Sequence, residues 1–216
     1  MPELPILLLT DEFAAVDKPA GLVAIPERAP TDGCVQTRLA AQLGQRLWVV
    51  HRLDREVSGV LVFARNAAAH RRLCLLFEHR AVRKTYTAVA WGELAADTGT
   101  VDAPLRLFGS GRMGVAAAGG QAARTDYRVL ERRDGFTLLE AYPQTGRRHQ
   151  LRVHFYHLGH PLVGDPRYGE RAAQAQYPRL LLHASRLELP APDGTPLTIA
   201  APLPPDFLFP PRPGAR

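Results

Sequence analysis

The chain reads as an α+β protein built on a mixed, mainly antiparallel sheet. Three observations predict this. Runs of β-forming residues recur along the 216 residues, and two pairs of them flank the hairpin signals Asp134-Gly135 and Asp193-Gly194. Helical patterns are few and short. Strands and helices do not alternate in the βαβ rhythm that a parallel sheet requires. A composition of 46% hydrophobic and 22% charged residues suits one globular domain with a real core, expected to span residues 1–216.

The elements follow in order. Ile6 to Leu9 and Phe13 to Val16 read as short strands separated by Asp11-Glu12. Cys34 to Leu43 reads as a helix, with Val35, Leu39 and Leu43 on one face and Thr31-Asp32-Gly33 as its start signal. Leu47 to His51 and Gly59 to Ala64 read as strands around a tight connection. Asn66 caps a helix from Ala67 to His79 whose apolar face holds Leu73, Leu76 and Phe77. Thr85 to Trp91 is rich in β-formers, and Thr125 to Leu130 and Phe136 to Ala141 form the hairpin around Asp134-Gly135. His149 to Leu158 reads as a helix, and Leu180 to Leu189 and Leu197 to Ala200 as late strands. The tail over 202–216 is Pro-rich and its last residues are expected to be loose.

Composition narrows the class. No apolar run approaches the roughly 18 residues that a membrane-spanning helix needs, and Met1-Pro2-Glu3 has no basic leader character. Cys34 and Cys74 form no metal spacing and read as reduced thiols, so a cytoplasmic protein is expected; a monomer is expected as well. The net charge of +6 favours a polyanionic partner. Of the 27 basic residues only Lys18 and Lys84 are lysines, a bias that genome composition alone can produce, so the charge supports a nucleic-acid partner without proving one.

The most informative stretch is His51-Arg52-Leu53-Asp54-Arg55-Glu56-Val57-Ser58-Gly59. Apolar runs on both sides place Asp54 in a connection at the edge of a core, where a carboxylate is costly unless a cation or donor meets it. Asp54 is therefore a turn residue, a structural ion-pair member or a catalytic group. A second block, Gln144-Thr145-Gly146-Arg147-Arg148-His149-Gln150-Leu151-Arg152-Val153-His154, precedes Gly159-His160-Pro161-Leu162-Val163-Gly164-Asp165. Together these blocks resemble the RluA-type pseudouridine synthases, whose motifs read HRLDxxTSG, TGRxHQIRVH and GxPIxGDxxYG. Asp17-Lys18-Pro19-Ala20-Gly21-Leu22, Lys84-Thr85-Tyr86-Thr87-Ala88 and Leu181-Leu182-His183-Ala184 resemble further motifs of the same family. The matches cover about residues 16 to 189, in order. Val57 departs from the family's usual Thr.

The resemblance implies a sheet with helices and loops around a central RNA-binding cleft, and an isomerase that turns uridine into pseudouridine. No cofactor and no metal is implied. Asp54 is then the catalytic carboxylate, Arg152 its counter-cation and Tyr86 the ring stacked on the target uracil. Arg52 fills the place of the flipped base, and Arg147, Arg148 and His149 face RNA. The partner is structured RNA, a tRNA or rRNA stem-loop. Many relatives carry an S4 domain, for which a first motif near residue 17 leaves no room.

Each residue also has a plainer reading. Arg152 reads as a surface helix residue, Tyr86 as a half-buried sheet tyrosine, and Arg52 as a salt bridge to Glu56 or Asp54. His149, His154, His157 and His160 lack a metalloenzyme spacing and read as structural or RNA-facing. Asp165 reads as a structural turn residue. Gly109-Ser110-Gly111-Arg112-Met113-Gly114 matches GxGxxG without the strand-turn-helix context that a dinucleotide site needs, and reads as a flexible loop. The alternatives to a synthase are a noncatalytic RNA-binding protein of the same fold and, more weakly, a glycosidase, which needs two cooperating acids.

Overall fold

A computed structural model of the chain describes residues 3–26, 33–207 and 209. Its elements are β1 (Ile6–Leu9), β2 (Phe13–Lys18), α1 (Val35–Leu43), β3 (Trp48–Val49), β4 (Ser58–Ala64), α2 (Ala67–Glu78), β5 (Arg83–Trp91) and β6 (Thr98–Asp102). They continue with β7 (Leu105–Leu107), β8 (Met113–Val115), β9 (Arg124–Arg133), β10 (Phe136–Pro143), α3 (Gln150–His157), α4 (Arg171–Gln174), β11 (Leu182–Pro190) and β12 (Pro196–Ala200). Every pairing whose register is described is antiparallel. The fold is α+β, with a mainly antiparallel sheet and few helices. None of the described helices is long and apolar enough to cross a membrane.

The chain divides into two compact units, residues 1–84 with 184–203 and residues 85–183 with 204–216. In the first, strand order runs β1-β2-β4-β11, with β12 on β11 and β3 on β4. Phe13, Ala15, Val60, Val62, Leu73, Leu187 and Ile199 form its core. All seven β4 residues are buried, which is why that strand reads as a continuous apolar run rather than an alternating one. Asn66 caps α2 by accepting from the Ala69 N–H at 2.8 Å. Helix α1 is capped by Cys34, whose sulfur accepts from the Thr37 N–H at 3.5 Å while the Thr37 hydroxyl accepts from the Cys34 N–H at 3.0 Å. Thr31 and Asp32, the expected start signal, lie outside the described residues.

In the second unit the order is β5-β10-β9-β6, with β7 and β8 as a separate hairpin. Asp134 and Gly135 both take positive φ, 56° and 78°, as the β9–β10 turn requires. One cluster gathers Val89, Phe136, Val163, Leu181 and Phe207, and another Leu105, Ala123, Val153 and Tyr168. Strands β6, β7 and β8 and helix α4 had no sequence expectation. The expected loose tail falls mostly on residues outside the described ones.

Candidate functional site

In the first unit the antiparallel β2–β4 pair sets Lys18 opposite Gly59, so the Asp17-Lys18-Pro19 and Asp54 motifs meet at one end of the pair. Lys18 is fully buried, and its Nζ donates to the carbonyls of Pro19 at 2.8 Å, Leu22 at 2.6 Å and Arg55 at 3.1 Å. The Gly21 N–H donates to the same Arg55 carbonyl at 2.8 Å. The backbone one residue beyond Asp54 is thus pinned from inside the protein. Gly59 has φ of 109°, and a Cβ there would sit 2.3 Å from the Ala184 carbonyl oxygen, so only glycine lets β4 begin so close to β11. The Val57 N–H closes the turn onto the Asp54 carbonyl at 3.2 Å. Val57 itself is buried, so the missing threonine hydroxyl leaves the turn intact.

Asp54 is half-buried on this turn and Arg52 is exposed. Arg52 forms no hydrogen bond or ion pair with any described residue, so its expected plainer role, a salt bridge to Glu56 or Asp54, is not what the structure contains. His51 anchors the other flank. Its Nε2 lies 3.0 Å from the Val62 N–H, which can only donate, and its ring stacks on Phe77 at 4.7 Å. The ring is therefore neutral, with its proton on Nδ1. Burial, then the nearby Lys84 charge, pushes its pKa down to about 3. Lys84 is itself lowered, first by burial and then by Arg80.

The second unit holds the remaining expected residues. Tyr86 is half-buried on β5, paired with Ala141 of β10. Arg152 lies on α3 and is almost fully buried. Its Nε and Nη2 donate to the two carboxylate oxygens of Asp165, both at 2.7 Å. Asp165 also accepts from the backbone N–H groups of Arg167 at 2.9 Å and Tyr168 at 3.2 Å. The expected structural turn role of Asp165 is present, with a buried bidentate ion pair added to it. Arg152 is not the surface residue of the plainer reading, and Nη1 lies outside this clamp.

The loop before α3 is held by Gln150. Its Oε1 accepts from the Thr145 hydroxyl at 2.6 Å and the Arg147 N–H at 3.0 Å, while its Nε2 donates to the Arg124 carbonyl at 2.9 Å and the Thr125 hydroxyl oxygen at 3.0 Å. That loop presents Arg148 to solvent and Arg147 half-buried, with the Arg147 Nε donating to the Ala122 carbonyl at 3.1 Å. His149 is buried in the left-handed region at φ of 55°, and its Nδ1 meets the Tyr168 hydroxyl at 2.9 Å.

The other histidines have non-metal partners too. His154 Nδ1 meets the Thr125 hydroxyl at 2.9 Å and its Nε2 the Ala103 carbonyl at 3.0 Å, and burial lowers its pKa. His160 Nδ1 lies 2.8 Å from the Trp91 carbonyl. Among the described residues no group of three or more His, Cys, Asp or Glu is arranged to hold a metal. The GxGxxG stretch is the β7–β8 hairpin, not a strand-turn-helix.

Lys18, Gln150 and Tyr168 had no role assigned from sequence. For Lys18 a signal existed. In a chain that uses arginine almost everywhere, a retained lysine marks a place where a compact ammonium with three donors fits and a planar fork does not. Gln150 and Tyr168 act across 25 and 19 residues of sequence, which no local pattern reveals.

Comparison with known proteins fits this geometry. The sequence profile described as RNA pseudouridylate synthase matches residues 12–157. The dual-specificity RNA pseudouridine synthase RluA of Yersinia pestis is 42% identical over 198 residues, covering 89% of this chain and 96% of that protein. Ribosomal large subunit pseudouridine synthase D of Pseudomonas aeruginosa is 38% identical over 226 residues, covering 96% of this chain and 70% of that one. Among solved structures, human RNA pseudouridylate synthase domain containing 1 superposes with a TM-score of 0.82 at 30% identity, covering 95% of this chain and 86% of that one.

Proposed function

The chain belongs to the RluA-type family of RNA pseudouridine synthases, and from that premise we propose that it isomerises specific uridines in structured RNA, a tRNA or rRNA stem-loop, through Asp54. The reaction breaks the bond from C1′ to N1 of the uracil and forms one from C1′ to C5. The C5 proton is lost and N1 ends protonated, so the product is an isomer and no electrons change hands. Chemistry at an anomeric carbon needs a carboxylate, as nucleophile or to steady positive charge. Asp54 supplies it, by attack at the sugar or as a base at C2′.

The observation that carries this reading is the turn itself. Asp54 precedes a carbonyl pinned by the buried Lys18, on a strand entry that tolerates only glycine at position 59. Such backbone rigidity suits a group that must meet one atom of a flipped nucleotide. Tyr86 is assigned to stack on the uracil, and Arg152, fixed by Asp165, to place positive charge in the site. Arg52, exposed and without an internal partner, is assigned to take the place of the flipped base, since a planar cation stacks well. Arg147 and Arg148 contact phosphates, and His149 holds their loop through Tyr168.

The test is Asp54→Asn. The variant should fold and bind RNA as the parent does, yet release no tritium from C5-labelled uridine. Turnover within a few-fold of the parent would remove Asp54 from the reaction.

A further inference from the structure

The hold on Arg152 is only as firm as the turn that carries Asp165. That turn runs from Gly164 to Tyr168, and one side chain outside it grips both ends. Gln174, the last residue of α4, is 4% exposed. Its Oε1 accepts from the Gly164 N–H at 2.7 Å and from the Trp91 indole N–H at 3.2 Å. Its Nε2 donates to the carbonyls of Leu162 at 2.9 Å and Tyr168 at 3.0 Å. A carboxamide offers two acceptor sites and two donors, and here all four are used.

The backbone makes room for this group. Gly169 has φ of 109°, and a Cβ there would sit 2.4 Å from the Gln174 Nε2. Glu170 then seats the short helix, its carboxylate accepting from the N–H groups of Ala172 at 2.9 Å and Ala173 at 2.6 Å. The stretch 164–174 is thus closed on itself by the side chain of its last residue.

Two routes lead from Gln174 to Arg152. Gly164 directly precedes Asp165, whose oxygens take the Arg152 Nε and Nη2 at 2.7 Å. Tyr168 gives its N–H to Asp165 at 3.2 Å, and its ring lies 5.4 Å from the Arg152 guanidinium carbon. Gly164, Asp165 and Tyr168 are all buried, so a bond lost from Gln174 strands a polar group away from water and the turn must shift. A misplacement of about 1 Å in a group that serves a reacting centre can cost about 10²-fold in rate.

We propose that Gln174 is a positioning residue for the isomerisation, setting the guanidinium of Arg152 through Asp165 and Tyr168. This rests on the proposed reaction and on the charge that Arg152 is assigned to place in its site. Gln174 itself is given no contact with RNA.

The test uses the full chain, nitrogen-labelled, and Gln174→Met, which keeps the side-chain length and removes all four bonds. Two quantities are read. One is hydrogen exchange at the Arg152 Nε–H by NMR, with the signal identified by its loss in Arg152→Lys. The other is the rate constant for tritium release from unmodified tRNA and ribosomal RNA carrying C5-tritiated uridine, with the enzyme in saturating excess. Exchange should quicken at least about tenfold. The rate constant should fall at least about tenfold, while RNA affinity stays within about twofold of the parent's. A glutamine that only stabilised the fold would change the melting temperature and the active fraction and leave both readings parental. Either reading at its parental value overturns the proposal. Should Gln174→Met not fold, Glu170→Ala decides. That change is exposed, loosens α4 and should move both readings in the same directions by about threefold; parental values there overturn the proposal too. If exchange quickens as expected while the parent makes no pseudouridine, the assigned reaction is wrong and the link from Gln174 to Arg152 stands. If the parent makes pseudouridine and Gln174→Met matches it in both readings, the positioning role alone fails.

Discussion

In the proposed reaction the carboxylate of Asp54 meets a sugar carbon and cannot sit on a loose loop, and Lys18 is the residue that holds this turn. Its ammonium meets three carbonyls from two segments, one of them next to Asp54. Lys18→Met keeps the length and removes the donors. Hydrogen bonds from a charged donor are worth about 1.5–3 kcal/mol each, so urea unfolding should show a loss of several kcal/mol. An unchanged midpoint would show that these bonds do not hold the turn. Asp165 sets up a similar case. Asp165→Asn removes the buried carboxylate charge that faces the Arg152 guanidinium, and breaking a buried ion pair is destabilising by up to roughly 3–5 kcal/mol. Melting should fall clearly, and turnover with it, because Arg152 loses the charge and one of the two acceptors that Asp165 gives it. At this scale the sequence was legible where motifs are contiguous, as in the turn that holds Asp54 and Gly59, whereas the part played by Lys18 was missed although a lysine retained against an arginine background was a signal for it. It was not legible at Gln150 or Tyr168, because their value lies in partners brought near only by folding.

At the scale of elements, the long or strongly patterned ones were readable. Strand β4 announced itself by the apolar run Val60 to Ala64, α2 by its Asn66 cap, and the β9–β10 hairpin by Asp134-Gly135. Strands β6, β7 and β8 were not, for a physical reason. They are five, three and three residues long, lie at an edge or in a separate hairpin, and bury at most one residue each. Their pairing comes from neighbours rather than from their own alternation. Strand β2 ran on to Lys18, beyond its apolar run, because β4 offers partners down to Gly59. The entry to β4 yields a sharp expectation. Gly59→Ala adds a Cβ 2.3 Å from the Ala184 carbonyl oxygen at a φ of 109°. Neither backbone can yield without breaking the β4–β11 neighbourhood, so hydrogen exchange should quicken across Ser58 to Val62 and the variant should be among the least stable single changes. Exchange like the parent's would mean that β11 has room to shift.

For the whole molecule, pH and salt are the controlling variables. His51 is neutral in the fold, with its pKa pushed from 6.5 to about 3 by burial. Above about pH 6.5 neither folded nor unfolded chain binds this proton, so the group contributes nothing to pH dependence. Below it the unfolded chain takes up a proton that the folded chain refuses, and stability falls by up to about 1.4 kcal/mol per pH unit. His154, lowered in the same direction, adds to the slope. Denaturant unfolding at about pH 7.5 and about pH 5 should therefore differ by roughly 2 kcal/mol from His51 alone, and His51→Gln should shrink that difference. An unchanged difference would mean that the ring is protonated in the fold. RNA binding should fall steeply with salt, and a stem-loop should be a better substrate than the same sequence unpaired, since phosphates and loop shape supply much of the grip. Equal kcat/KM on both forms would count against shape recognition.

The buried Lys18 has one further use. Only two side-chain amines exist in the chain, Lys18 and Lys84, and the first is wholly enclosed. An acylating reagent can reach it only during moments when the turn next to Asp54 comes apart. Mass spectrometry of that single adduct against time thus serves as a clock for how often the turn opens. Adding RNA and watching whether the clock slows would report ligand-induced rigidity without a label, a crystal or an assay of turnover.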